Sequence, residues 1–315
     1  MSLIRYLFPM IKKPLPGDNP KKMYKERKLD RIHKFLMAGD TVRGYLVRGS
    51  RVVREIKANH SLGPLETHLI GQASLGALLM AANLKDEGRI RLQWECGGPV
   101  GGISVEADFH GTVRGYLQNN PITMEEGSDG LYPDLFGPGF LTVTRVFEGK
   151  AEPRNSTVAL QYGTIAKDIT GYHLESEQAP TAMALSVAFD KEGNPTGAGG
   201  LFLQALPGAS EEVIEGLEGT LENLPSLGEA FAEGKDAEAL ILDLFAPQAP
   251  RFIDSKRVEF FCSCDSGMFE RYLKGLSGED RIEIREKGPF PLEITCQNCS
   301  SVYHFEESVI RKLLS

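Results

Sequence analysis

The chain has 315 residues, 41% hydrophobic and 25% charged, with a formal net charge of −8. This composition belongs to an ordinary globular protein with room for about two or three domains, and it excludes a fibrous or wholly disordered chain. No run approaches the ~20 apolar residues of a membrane span, and the apolar start from Leu3 to Ile11 is broken by Arg5 and Pro9 with no small-residue cleavage site after it.

Without an export signal the expected location is cytoplasmic. In that reducing compartment cysteines serve metal binding or redox chemistry rather than permanent disulfides. Residues 1–36 hold ten bases and three acids. Residues 1–28, with Pro14, Pro16, Pro20 and a lysine cluster, read as a basic flexible extension, a solvated arm. Ordered structure is expected from Leu29, and residues 29–206 form a core domain.

Within that core, residues 65–84 (Leu65, Leu69, Ala73, Leu75, Leu79, Met80) are apolar around much of the helical wheel and predict a helix buried on several sides. Ile90, Leu92 and Trp94 alternate with Arg89, Arg91 and Gln93, the period of a half-buried strand. Ile103, Val105 and Ala107 repeat the pattern, and a turn at His110-Gly111 leads into Val113–Leu117, giving a hairpin. Residues 164–178 predict a helix that stops before Pro180. A strand over Met183, Leu185, Val187 and Phe189, a turn at 192–195 and a strand at 201–203 follow. Strands and helices do not alternate regularly, so the fold class is α+β, an antiparallel sheet with packed helices.

Residues 207–250 hold ten acids and one base. They read as an acidic helical linker, opened by Ser210 as N-cap with Glu211 and Glu212 in the first turn. Val213, Leu217, Leu221 and Leu224 form an apolar stripe. Gly216 and Gly219 weaken the helix by about 1 kcal/mol each relative to alanine, and Glu215, Glu218 and Glu222 repel one another. The segment suits docking on a surface better than standing alone, so it is expected to be metastable.

The last region, residues 251–315, carries the chemistry. Cys262-Ser263-Cys264 and Cys296-Gln297-Asn298-Cys299 are two tight pairs with thirty-one residues between them. Two pairs of thiolates separated by a domain-sized loop are the donor set of a tetrahedral zinc site, with ligands Cys262, Cys264, Cys296 and Cys299. The surrounding aromatic residues form only a modest core, so bound zinc would supply much of the folding energy of so small a unit. Zinc-bound sulfurs are also thiolates, the form oxidants attack, and a sulfenic acid on one sulfur can condense with its neighbour. Such a site is a candidate oxidation-sensitive latch, and the metastable segment upstream is the element it would release. With ten bases and eleven acids this region has no basic stripe, which argues against nucleic acid as a partner.

The remaining candidates carry less. Cys96 reads as a packed core thiol, and the histidines form no catalytic constellation; His304, near the quartet, competes poorly for a tetrahedron that four cysteines fill. The glycine-rich runs 97–102 and 197–200 lack a P-loop ending and read as strand connections needing positive φ or close backbone approach. No catalytic or other cofactor-binding residues are assigned, so the chain is not read as an enzyme. Two other readings stay open: a constitutive zinc-ribbon binding module, and a thiol oxidoreductase using Cys296 and Cys299.

The order C-x-C, a loop, C-x-x-C, then Tyr303-His304-Phe305 resembles the heat-shock protein 33 family of redox-regulated holdase chaperones. Val113-Arg114-Gly115-Tyr116, Ser176-Glu177-Gln178-Ala179-Pro180-Thr181, Ala198-Gly199-Gly200-Leu201 and Gln204 to Pro207 match further motifs, and the likeness runs over about residues 37–315. Residues 282–291 depart from the family pattern and read as strand-like and proline-rich. The resemblance implies a reduced, zinc-bound, inactive cytoplasmic monomer with its linker folded onto a chaperone core. It further implies that oxidation forms Cys262–Cys264 and Cys296–Cys299 disulfides, expels the zinc and unfolds the linker. A homodimer would then hold unfolding client proteins without ATP, passing them to ATP-driven foldase chaperones, with no nucleic acid or membrane involved.

Overall fold

The computed structural model describes residues 10–19, 23, 26, 29–124, 132–150 and 152–315, with the side chains of 218 and 222 left aside. The chain divides into two compact units: residues 14–260, here the body, and the described part of 1–13 with 261–315, the module.

The body begins with β1 (Arg31–Met37), β2 (Val42–Arg48), α1 (Ser50–His60) and α2 (Pro64–Ala82). Then come β3 (Gly88–Cys96), β4 (Gly102–Asp108), β5 (Thr112–Leu117), α3 (Tyr132–Phe136), β6 (Gly139–Phe147) and β7 (Arg154–Ala159). It continues through α4 (Ile165–Glu177), β8 (Thr181–Phe189), β9 (Pro195–Ala205), α5 (Glu211–Glu222), α6 (Leu227–Ala232) and α7 (Ala237–Leu244). Two strands, β10 (Arg251–Arg257) and β11 (Glu259–Phe260), complete it.

Two sheets result, ordered β10-β1-β2-β9-β8 and β11-β5-β4-β3-β6-β7. All neighbours are antiparallel except β11 on β5. The expected α+β class with packed helices is the one found. The apolar helix of the sequence is α2, which touches strands of both sheets. Leu69, Ile70, Ala73, Leu75, Leu78 and Leu79 are all buried, as a helix with no polar face requires. In β3, Ile90, Leu92 and Trp94 are buried while Arg89, Arg91 and Glu95 are exposed. The turn between β8 and β9 is held by Asp190 Oδ1, which accepts the N–H of Glu192 and Asn194 at 3.0 and 2.7 Å.

Residues 207–250 form three helices on the five-stranded sheet. Ser210 caps α5, Ser226 caps α6 and Asp236 caps α7, each side chain accepting first-turn N–H groups. Leu217, Leu227, Phe231, Leu240, Ile241 and Phe245 enter one apolar cluster with Phe35, Met37, Leu46, Leu201 and Leu203 of the sheet. The glycine run of β9 makes this seat possible. A Cβ on Gly197 would lie 2.0 Å from the carbonyl oxygen of Gly228, and one on Gly199 would lie 2.5 Å from the Phe231 ring. Close approach, expected for this run, therefore serves α6 in particular. By contrast, among the described side chains of α5 Leu217 alone is buried, with Val213 and Leu221 half-buried against the same cluster. The repulsion expected among Glu215, Glu218 and Glu222 involves two side chains outside those described.

Residues 251–260 run as β10 and β11 of the body sheets, so the module begins ten residues beyond the change in composition at 251. Part of the extension expected to be solvated is packed. Leu15 is buried, and Asp18 and Glu26 each lie 2.9 Å from the guanidinium of Arg51, itself buried beside Glu55. Those carboxylates are needed because a buried guanidinium without partners is costly. Within residues 1–28 only 10–19, Met23 and Glu26 are among those described.

Helix α1 has no capping side chain of its own. Asp30 supplies the cap from β1's start, its Oδ2 accepting the N–H of Arg51 and Val52 at 2.7 and 2.9 Å. Burial pushes this carboxyl up from 3.8 to about 7, against the lowering effect of those two N–H groups. A carboxyl raised on folding contributes stability that is complete below its unfolded pKa and lost as pH rises through the folded one. Unfolding stability from this group should thus decline from about pH 4 to about pH 7. Asp30→Asn, which keeps the acceptor and removes the titration, should flatten that part of the profile relative to the parent in urea titrations across this range. A profile of unchanged slope would show that Asp30 is not the group responsible.

Candidate metal centre

The module consists of α8 (Ser266–Lys274), α9 (Gly278–Lys287), the hairpin β12 (Leu292–Thr295) and β13 (Val302–Phe305), and α10 (Glu307–Leu313). Residues 282–291, read from sequence as strand-like, are helical up to Lys287. Ser277 caps α9, Glu279 and Asp280 occupy its first turn, and Arg285 and Lys287 its last. Those end effects favour helix over the apparent alternation of Ile282 and Ile284.

The two cysteine pairs are placed by different means. Cys262 and Cys264 lie in the extended segment before α8, where Asp265 turns the chain into the helix by accepting the N–H of Met268 at 2.6 Å. Cys296 and Cys299 lie in the tight turn joining β12 and β13. Ser300 N–H donates to the Cys296 carbonyl at 2.7 Å, Ser300 has a φ of 53°, and Cys296 N–H donates to the Ser301 carbonyl at 2.9 Å.

All four sulfurs lie within 4.8 Å of one another, with Cys264 and Cys299 3.3 Å apart and Cys262 and Cys296 3.9 Å apart. A tetrahedron with metal–sulfur bonds of about 2.3 Å has edges of about 3.8 Å, so the set brackets what such a centre requires. None of the four is more than 5% exposed. The cluster could hold a metal ion, and four sulfur donors in a closed, buried tetrahedron suit zinc.

Electrostatics point the same way. The adjoining sulfurs, Cys264 first and then Cys296 and Cys299, hold the Cys262 thiol far below the ordinary range. Once Cys262 is a thiolate, that same interaction pushes Cys264 and Cys299 well up. Four adjacent thiolates repel, so full ionisation calls for a central cation.

Tyr303 and Ser301 support the sulfurs, and neither role is legible from type alone. The Tyr303 hydroxyl donates to the Cys264 carbonyl at 2.8 Å and lies 3.2 Å from its Sγ, while its ring packs on Phe269 at 5.0 Å. Ser301 Oγ lies 3.2 Å from Cys299 Sγ. His304 is not brought to the cluster; it faces Glu293 across the hairpin with Nδ1 3.2 Å from the carboxylate. Cys96 stands apart on β3, half-buried, with its thiol pushed up by burial. The C-x-x-C pair opens no helix. It therefore lacks the helix N-terminus that lowers a thiol pKa in thioredoxin-like enzymes.

Comparison with known proteins agrees with both units. Residues 30–306 match the profile of the Hsp33 protein family. The 33 kDa chaperonin of Desulforamulus reducens is 34% identical over 289 residues, which cover 90% of this chain and 97% of that protein. That of Aquifex aeolicus is 33% identical over 280 residues, 87% of this chain and 86% of the relative. Among solved structures, the 33 kDa chaperonin of Thermotoga maritima, a heat shock protein 33 homolog, superposes with a TM-score of 0.82 at 28% identity. That match covers 91% of this chain and 98% of the other. A two-sheet body joined to a four-cysteine module, in a chain so similar to named chaperonins, defines a chaperone. This chain belongs to the Hsp33 protein family. Among the described residues no helix is long and apolar enough to cross a membrane.

Proposed function

We propose that the protein is a redox-regulated, ATP-independent holdase whose switch is the quartet Cys262, Cys264, Cys296 and Cys299. The observation that carries this reading is the burial of four sulfurs within 4.8 Å of one another in a unit with little other core. Bound there, one zinc ion per chain would hold the four thiols ionised and tie the segment before α8 to the β12–β13 turn.

The chain's own chemistry follows. Peroxide takes a thiolate to sulfenic acid, transferring one oxygen and leaving hydroxide. The neighbouring thiol of the pair condenses with it, forming a disulfide and losing water. Two such events, at Cys262–Cys264 and at Cys296–Cys299, leave no thiolate to hold a metal, and the folding energy it supplied is lost. Only eleven residues separate Pro250 from Cys262, so disorder in the module has a short path to the linker. Release of residues 207–250 would expose the apolar sheet surface centred on Phe35, Leu46 and Leu203 to unfolding clients. The active form would be a cytoplasmic homodimer with no catalytic turnover, handing clients to ATP-driven foldase chaperones.

In the deciding experiment the reduced, zinc-loaded protein is treated with peroxide at elevated temperature while zinc release and client light scattering are followed together. Zinc release coinciding with suppression of aggregation is expected. Full suppression by the reduced form, or activity gained with zinc retained, sinks the switch.

A further inference from the structure

Among the described residues, the four ahead of the body, Met10–Lys13, belong to the cysteine module and lie outside the matched family span of 30–306. Met10 is buried, and its thioether sulfur accepts the N–H of Cys262, with nitrogen and sulfur 2.9 Å apart. Ile11 N–H donates to Ser301 Oγ at 2.9 Å, and that hydroxyl lies 3.4 Å from the Ile11 carbonyl. Ser301 is itself 2% exposed, and its Oγ is the atom 3.2 Å from Cys299 Sγ.

The segment therefore touches both arms of the thiol cluster: Met10 on the Cys262 side, Ile11 through Ser301 on the Cys299 side. Ser301 Oγ accepts the Ile11 N–H and the Cys299 S–H and donates its own proton to the Ile11 carbonyl, so the segment holds on both its backbone groups the hydroxyl that stands against Cys299. Docking a buried methionine against one arm and a backbone donor against the other resists their separation.

We propose that Met10–Lys13 form a strap that holds the four-thiol module shut, retarding metal loss and reagent access to Cys262 and Cys299, and so setting how much oxidant the switch needs. This rests on the metal-holding redox reading above and adds to it a regulatory element outside the family's matched span. The strap governs the rate of opening, whereas the quartet governs whether there is anything to open.

The test uses the full chain carrying Met10→Ala with Ile11→Pro, which removes the buried thioether and the Ile11 donor together. Two rates are read: transfer of zinc from the reduced protein to a chromogenic chelator, and alkylation of each cysteine by iodoacetamide in metal-free reduced protein, resolved by mass spectrometry. Both zinc transfer and alkylation of Cys262 and Cys299 should rise about tenfold, since reagents enter through the open fraction that the strap suppresses. Cys96, in the body, should keep its rate. Ser301→Ala, which leaves Met10 docked, should raise Cys299 reactivity with little change at Cys262. Unchanged rates in the double variant overturn the strap, as does an equal rise at Cys96, which would mean general loosening. If the parent chain holds no zinc, the metal reading fails by itself and the alkylation pattern still decides the strap.

Discussion

Phe231→Ala should yield a chaperone that suppresses client aggregation with no oxidant present. The ring is 2% exposed, sits over Gly199, and lies 5.4 Å from the Arg48 guanidinium. Truncating a buried phenylalanine costs about 3–5 kcal/mol. Here that cost falls on the short helix α6, whose main anchor is this side chain, and not on the sheets beneath. Against a total stability of about 5–15 kcal/mol for a domain, the loss is enough to free the linker locally while the body stays folded. Hydrogen exchange should show lost protection across 227–245 with β1, β2 and β9 still protected, and light scattering should show activity in the reduced state. A reduced variant with an exposed linker and no holdase activity would disprove that the linker covers the client surface. The opposite change is available in α5. A Cβ on Gly219 meets nothing within 4 Å, and one on Gly216 only Gln248 Nε2 at 3.9 Å. Gly216→Ala with Gly219→Ala should therefore stabilise the helix by about 1 kcal/mol per site and raise the oxidant threshold.

The second large effect is expected at the metal centre. Cys299→Ser replaces a thiolate by a hydroxyl that stays protonated, leaving three donors. If the four sulfurs share an apparent binding energy of ~10–16 kcal/mol, losing one costs about a hundredfold to a thousandfold in affinity. The module should lose zinc to a chelator the parent resists, and the near-ultraviolet circular dichroism of the Phe269–Tyr303 pair should weaken with it. Cys296 would then lack its resolving thiol and should accumulate higher oxidation states under peroxide. Zinc affinity equal to the parent's would remove Cys299 from the ligand set and with it the tetrahedral reading.

What the sequence makes legible is what local spacing dictates. The cysteine pairs stand out because a metal centre needs donors close together on each arm, and α2 because a helix with no polar face must be buried. Strands β3, β4 and β5 follow from alternation sustained over a hairpin. Less visible are features whose partners are far along the chain. Strand β10 pairs β1 across more than 200 residues, as Arg257 opposite Arg31 shows, and its own alternation is weak. Arg51 looks like a surface cation until Asp18 and Glu26 close over it. Helix α9 alternates like a strand between Arg281 and Lys287, and only its caps reveal otherwise. Met10 gives no signal at all, since a lone methionine near a chain's start carries no periodicity.

The sulfur geometry also bears on the products of oxidation. Cys264 and Cys299 belong to different pairs, yet their sulfurs are 3.3 Å apart, as close as a condensation needs. A sulfenic acid formed while the module is intact thus stands at a branch point. Reaction across the pairs would staple the two arms together and trap the closed form; reaction within a pair lets them part. On the redox reading proposed above, thermal motion that separates the arms before the second sulfur reacts would favour the branch within a pair, so warmth together with oxidant would open the module more readily than oxidant alone.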